Sequence, residues 1–282
     1  MLGQYLIAFR EALETALIAA IILSYLKRGG RAFLTRYVWV GIILATFVSI
    51  TFGALVWFTY GILSETFKLL LEALTAFVAV FILSSMIYWM TIRGRYNREE
   101  MEKRVEVAAS SSTKVSLISL SFVVAFREGF EMVLFITPFL LTDTLPTLIG
   151  ALLGILTAVF LAYGIFTLGM KINLQRFFYF TSILLILLAG GLAGYGVHEL
   201  LEYYEQIGFK VGWLAESAYR LNIPADSPFH HKGLIGSVFA VMFGYTVSAE
   251  WARIIVHLLY LAIALPFIMW TYKKMNEESH GN

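Results

Sequence analysis

Apolar residues run in long blocks along this chain, at about 4–26, 38–61, 69–92, 115–141, 147–169, 177–200 and 251–272, and polar residues gather between them. Each block reaches the roughly 20 residues that a helix needs to cross the hydrocarbon core. A bilayer offers no water to a peptide group, so a helix, which bonds its own backbone, is the form such blocks must take. The pattern therefore predicts an all-α, polytopic membrane protein with seven transmembrane helices. The first block opens almost at Met1, without a basic stretch before it or a small-residue cleavage pattern after it, and reads as a retained helix. A shorter apolar run, Gly233 to Val247, reads as an interfacial or re-entrant helix.

The polar stretches set the orientation. The first connection carries Lys27, Arg28, Arg31 and Arg36, and the third Arg93, Arg95, Arg98, Lys103, Arg104 and Lys114. The fifth holds Lys171 and Arg176, and the tail holds Lys273 and Lys274. The second and fourth connections are nearly free of cations. Basic loops stay on the cytoplasmic side, so the expected placement is a multi-pass plasma-membrane protein with its N-terminus outside and its C-terminus in the cytoplasm. Within the loop at 93–114, those cations alternate with Glu99, Glu100, Glu102 and Glu106, the pattern of a short amphipathic helix.

One motif recurs. Ala8-Phe9-Arg10-Glu11 in the first block returns as Ala125-Phe126-Arg127-Glu128 in the fourth, with Glu14 and Glu131 at matching spacing. Each copy opens a set of three spans, and three is odd, so the second set threads the membrane in the opposite sense. The expected plan is two inverted three-helix repeats, 1–92 and 115–201, joined by a cytoplasmic linker at 93–114. An external loop at 202–250 and a last helix with its tail at 251–282 follow. Inverted repeats of this kind place a binding site near the midplane, where the halves meet.

The repeated motif puts six charges inside two spans. Each charged residue at the centre of a membrane helix costs roughly 2.5–3.5 kcal/mol on insertion scales, so these side chains must face one another, water or a bound ion. Residues three or four apart share a helix face. Glu11 with Glu14, and Glu128 with Glu131, therefore present paired carboxylates, and Arg10 and Arg127 can pair along their own helices. If the two helices meet, four carboxylates converge, an oxygen-rich set that suits a hard cation. Arginine neither ligates metal nor loses its proton; its part is to orient carboxylates and supply counter-charge. The structural alternative is a salt-bridge network that only clamps the bundle.

Composition narrows the chemistry further. Of 282 residues, 59% are hydrophobic and 14% charged, with a net charge of +2. That is far too few charges for a soluble enzyme, a disordered chain or a nucleic-acid partner. The absence of cysteine removes disulfides, thiolate metal sites and cysteine nucleophiles. No Walker-type loop and no His-Glu-x-x-His pair is present, so no enzyme and no tightly bound cofactor is expected.

Other polar groups allow two readings each. Glu72 is a relay carboxylate or an interface anchor. His198, Glu199 and Glu202 form a metal-collecting mouth or a hydrated helix end, beside an outer loop that also holds Glu205, Glu216, Asp226, His230 and His231. Glu250, Arg253 and His257 read as structural pairing within the last span. Met86, Met90, Met132 and Met170 read as core packing, and the glycines at 190, 191, 194 and 196 as a surface for close helix approach.

Arg10-Glu-Ala-Leu-Glu14 and Arg127-Glu-Gly-Phe-Glu131 resemble the paired Arg-Glu-x-x-Glu signatures of the high-affinity iron permeases, which include oxidase-dependent fungal transporters and bacterial EfeU-type proteins. Glu72, Met86-Ile-Tyr-Trp-Met90 and Gly196-Val-His-Glu-Leu200 extend the similarity over nearly the whole chain. The resemblance implies inward movement of iron, usually ferric, with Glu11, Glu14, Glu128 and Glu131 as metal ligands. Arg10, Arg127, Glu72, His198, Glu199 and Glu202 would support or relay. Iron would be substrate and not cofactor, lipid the surroundings, and a separate extracellular or periplasmic oxidase or iron-delivery protein the partner. The external Asp-Ala-Ser-Glu motif of the family has only weak counterparts at Leu214–Ser217 and Pro224–Ser227. Counting Glu72 with both signatures gives −3, a match to a trivalent ion, and three charges crossing 100 mV gain about 7 kcal/mol. Other transport readings are a carrier of divalent ferrous, manganese or lead ions, and a proton-relaying transporter without metal.

Overall fold

In the computed structural model, which describes residues 2–93, 98–110, 114–167, 174–224, 226–230 and 233–280, the chain is almost entirely helical. Arg95, Met170, Lys171 and His231 lie outside the described residues. The long helices are α1 (Leu2–Arg28), α2 (Thr35–Ile62), α3 (Glu65–Arg93), α5 (Val115–Thr142), α6 (Thr144–Thr167), α7 (Leu174–Gln206) and α9 (Trp251–His280). Two shorter helices are α4 (Arg98–Ser110) and α8 (Leu234–Phe243). Five helices, α2, α3, α6, α7 and α9, are long and apolar enough to cross a membrane. The other two long ones, α1 and α5, carry the charged motifs within otherwise apolar turns. Large side chains such as Ile43, Phe47 and Phe58 on α2, and Phe160 on α6, are exposed. In water such surfaces would drive aggregation; here they are what a lipid-facing helix presents.

The packing is pairwise. α1 lies on α6, α5 on α2 and α3 on α7, while α1 and α5 touch each other and α9 covers α7. Small residues let these pairs close. A Cβ added at Gly154 of α6 would stand 2.5 Å from the Tyr5 carbonyl oxygen and 2.8 Å from the Phe9 nitrogen of α1. One added at Gly41 of α2 would stand 2.5 Å from the Ile118 carbonyl oxygen of α5. Both obstacles are backbone, which cannot step aside, so glycine fixes how closely each motif helix is held. The main core joins α1, α3, α5, α7 and α9 through Ile7, Leu83, Phe135, Leu188 and Ile268.

Helix α4 is amphipathic, as its charge alternation predicts. It buries Met101 and Val105 against Ile18, Ile22 and Leu26 of α1 and Leu117 of α5. Its polar side meets the end of α1 and the turn after it: Arg28 Nη2 lies 2.8 Å from Glu102 Oε1, Arg31 Nη2 lies 3.7 Å from Glu106 Oε1, and the Tyr25 hydroxyl donates to Glu106.

The run at 233–247 contains only the ten-residue α8, about 15 Å long, too short to cross. It ends at Gly244 in the left-handed region (φ 62°), a conformation that favours glycine. The loop at 202–250 also holds a feature that apolar periodicity did not reveal. β1 (Ser217–Arg220) pairs antiparallel with β2 (Ser248–Glu250) and ties the loop to the start of α9.

Candidate metal site between the two motif helices

The first motif is sealed. The Arg10 side chain is 1% exposed. Its Nη1 lies 2.5 Å from Glu11 Oε1, and its Nη2 lies 3.1 Å from Glu14 Oε1. The same Nη1 donates to Met86 Sδ of α3 at 3.0 Å. One guanidinium thus spans two carboxylates and a thioether, with Nη1 shared by Glu11 and Met86 and Nη2 on Glu14.

The second motif is open on one side. Glu128 is buried and Glu131 is 14% exposed, but the Arg127 side chain is 63% exposed. Arg127 Nε lies 3.0 Å from Glu131 Oε1 and 3.8 Å from Glu128 Oε1. The two copies share a sequence and differ in surroundings: Arg10 is enclosed by the bundle, and Arg127 is not.

Between them, one carboxylate oxygen from each of Glu11, Glu128 and Glu131 lies within 4.8 Å of the other two. Glu11 Oε2 and Glu131 Oε2 are buried and make no hydrogen bond. Three acidic groups this close, out of water, repel one another unless a cation or a proton intervenes. The arrangement can hold a metal ion with oxygen ligands from both motif helices. Glu14, the remaining acidic member of the motifs, stands outside this trio and is ion-paired to Arg10.

The remaining polar residues form separate groups. Glu72 is buried, and its carboxylate accepts from the Tyr60 hydroxyl at 2.5 Å and from the Tyr195 hydroxyl. Tyr195 also shares a hydrogen bond with Thr142 Oγ1 at 3.1 Å. Fourteen residues separate Glu72 from Met86, about 21 Å along α3. A charge count that adds Glu72 to the motifs therefore does not describe one site. Glu199 is buried on α7, while its neighbour His198 bridges outward. His198 Nε2 lies 3.4 Å from Glu202 Oε1, and Nδ1 lies 3.1 Å from Glu250 Oε1. Glu250, at the end of β2, thus pairs across to α7, with the Arg253 charge of α9 close by. Burial pushes the Glu250 carboxyl up, but the hydrogen bonds from His198 and the backbone outweigh it and leave the group below the usual carboxylate range. His257 instead packs on Gly190 and Gly244.

Three contributors escape a reading from sequence. Met86 sits beside Arg10, and Tyr60 and Tyr195 hold Glu72. Nothing in the spacing along α2, α3 or α7 marks them; only the contacts that α1, α2 and α7 make with α3 do.

The chain is similar to known proteins over nearly its whole length. The iron permease FTR1 family matches residues 1–270 of the chain. An uncharacterized protein of Archaeoglobus fulgidus is 42% identical over 279 residues, which cover 99% of this chain and 98% of that one. A ferrous iron permease EfeU of Yersinia pestis is 31% identical over 273 residues, 94% of this chain and 92% of its own. A putative inactive ferrous iron permease EfeU of Escherichia coli K12 is 30% identical over 274 residues, 94% of each chain. No solved structure matches the chain.

Proposed function

The chain belongs to the iron permease FTR1 family, and on that premise we propose that it imports iron through the carboxylate trio Glu11, Glu128 and Glu131. The observation that carries the proposal is the convergence of those three oxygens within 4.8 Å from two motif helices. Arg10 Nη1 rests against Glu11 as an internal counter-ion. An incoming cation competes for that oxygen, and Glu14 keeps the guanidinium paired while it yields. Glu11, Glu128 and Glu131 are the proposed ligands; Glu14, Arg10 and Arg127 position and neutralise.

The chain is a multi-pass membrane protein. The finer arrangement proposed is seven spans, N-terminus outside, in two inverted repeats. The packing supports it: exchanging α1 with α5, α2 with α6 and α3 with α7 turns the α1–α6 contact into α5–α2 and leaves α1–α5 and α3–α7 in place. Glu72, Glu199 and the His198–Glu202 pair are proposed as outer stations on the way in, with any oxidase or iron-delivery protein as a separate partner.

The two motifs alone carry four carboxylates and two guanidiniums, a formal −2. That sum supports a divalent ion, and so a ferrous over a ferric substrate, in keeping with the names of the EfeU relatives. Two charges crossing 100 mV gain about 4.6 kcal/mol, which can drive import without an ATPase. Uptake of labelled iron into proteoliposomes tests the reading. Glu128→Gln should lower uptake about 100-fold or more, since losing a ligand costs at least what losing a residue that supports one does. Wild-type uptake by a folded Glu128→Gln protein would remove the trio from the transport path.

A further inference from the structure

Met86 is the only sulfur that touches either motif among the described contacts, and it does so from another helix. It is buried, and its Sδ accepts from the same Arg10 nitrogen that lies 2.5 Å from Glu11 Oε1. The sulfur and that carboxylate oxygen are therefore at most 5.5 Å apart, the sum of the two legs. A thioether is a weak hydrogen-bond acceptor, a poor choice if the only task were to anchor a buried guanidinium. An amide or a hydroxyl at this place would hold Arg10 more firmly. A thioether differs from those groups in one useful respect: it is a soft, polarisable donor.

The Arg10 nitrogen thus already occupies a position bracketed by a hard oxygen and a soft sulfur. A metal ion that takes that position on Glu11 meets the sulfur at once. From this geometry we infer that Met86 is a specificity-determining residue: its thioether joins the carboxylate trio when the ion displaces Arg10 Nη1, and biases the site toward softer divalent ions. The inference rests on the carboxylate site proposed above. Oxygen ligands alone rank ions by charge and size and would favour ferric iron over the divalent ions, with little to separate ferrous from manganous. One sulfur shifts the preference toward ferrous iron, and toward cadmium as a soft probe, over manganous ion. The weakness of the sulfur–guanidinium contact serves the same end, since Arg10 leaves it easily. No electron transfer is involved; the ion enters and leaves in one oxidation state.

The experiment compares full-length wild type, Met86→Leu and Glu128→Gln, purified in detergent, by anaerobic titration with ferrous, cadmium and manganous salts. Leucine keeps the volume and apolar character of methionine, so the core is expected to tolerate it. With the thioether as a ligand, Met86→Leu weakens ferrous and cadmium binding about tenfold or more and manganous binding by less than about threefold. Glu128→Gln weakens all three. X-ray absorption at the cadmium edge of the wild type should show a sulfur neighbour, an observation that does not depend on how any variant folds. If Met86→Leu leaves the ferrous-to-manganous ratio unchanged, or the wild-type spectrum lacks sulfur, while Glu128→Gln still abolishes binding, the role of Met86 is overturned and the carboxylate site stands. If Glu128→Gln binds all three ions normally, the site itself is overturned, and the inference with it.

Discussion

Glu128→Gln and Glu14→Gln each remove one negative charge from a buried motif, yet they should move the stability of the metal-free protein in opposite directions. Glu128 belongs to the trio, where a carboxylate oxygen of each member lies within 4.8 Å of the others. At an effective dielectric constant near 20, two unit charges at that distance repel by about 3.5 kcal/mol. Glu128 has two such neighbours, the Glu14 charge adds to the repulsion, and its Arg127 contact, at 3.8 Å to an exposed guanidinium, offsets little of this. If sharing of protons relieves most of the strain, relief of about 2 kcal/mol remains for the amide to deliver. Glu14 instead lies outside the trio, 3.1 Å from an Arg10 nitrogen in a fully enclosed pair. Breaking a buried pair costs about 3–5 kcal/mol when nothing compensates. Glu11 stays at 2.5 Å from Arg10, and loss of the Glu14 charge relieves some repulsion on Glu11 and Glu128, so a net loss of about 2 kcal/mol is expected. Thermal unfolding in detergent, in chelator and then with ferrous salt, separates the two. Each kcal/mol is worth about 2–4 °C for a chain of this order. Without metal, Glu128→Gln should melt several degrees above wild type and Glu14→Gln several below. Iron at about 100 times its dissociation constant adds about 2.7 kcal/mol of stability; wild type and Glu14→Gln should gain it, and Glu128→Gln should not. A Glu128→Gln protein that melts below wild type without metal would mean that the trio is a staple of ion pairs and not a cation site held empty.

Three further outcomes follow from the packing. Arg10→Lys should reduce uptake about tenfold or more, because one ammonium cannot span Glu11, Glu14 and Met86, while Arg127→Lys, on an exposed side chain, should stay within about threefold; both are read by proteoliposome uptake. Gly154→Ala should destabilise the protein by about 1–3 kcal/mol and lower uptake together, since its methyl group would press the α1 backbone at Tyr5 and Phe9, within two turns of the motif; melting and uptake measured on one preparation check this. The hydrogen bond from Tyr25, with help from Arg31, holds the Glu106 carboxyl below the usual carboxylate range. A depressed carboxyl stabilises the fold above its unfolded pKa and loses that contribution as pH falls through the folded value. Docking of α4 on α1 should therefore persist at neutral pH and loosen only in acid below about pH 4.5, and Glu106→Gln should abolish that acid dependence in hydrogen exchange of α4.

Much of this protein is legible from sequence because a bilayer permits so few solutions. Apolar blocks long enough to span must be helical, and the seven long helices fall where those blocks lie. The alternating charges of 93–114 mark an amphipathic helix, and α4 buries Met101 and Val105 on cue. The motifs declare themselves because six charges inside apolar turns need partners. What stays hidden is which partners. Spacing puts Glu11 and Glu14 on one face, but only the meeting of α1 with α5 separates the trio member from the one that holds Arg10. Glu72 looks like part of the same charge set until the length of α3 sets it about 21 Å from Met86. Met86 resembles any core methionine, since a single sequence carries no mark of the arginine opposite it. The β1–β2 pairing involves only a few residues on each strand, far apart in sequence and with no alternating pattern between them.

Anomalous scattering at the iron edge, from crystals of the full chain prepared anaerobically with ferrous salt, addresses the trio itself. A single strong peak among Glu11, Glu128 and Glu131, with Arg10 drawn back toward Glu14, is the expected result. Carboxylates in place with no peak among them, and iron found only at the outer His198–Glu202 group, would contradict a cation site between the motif helices.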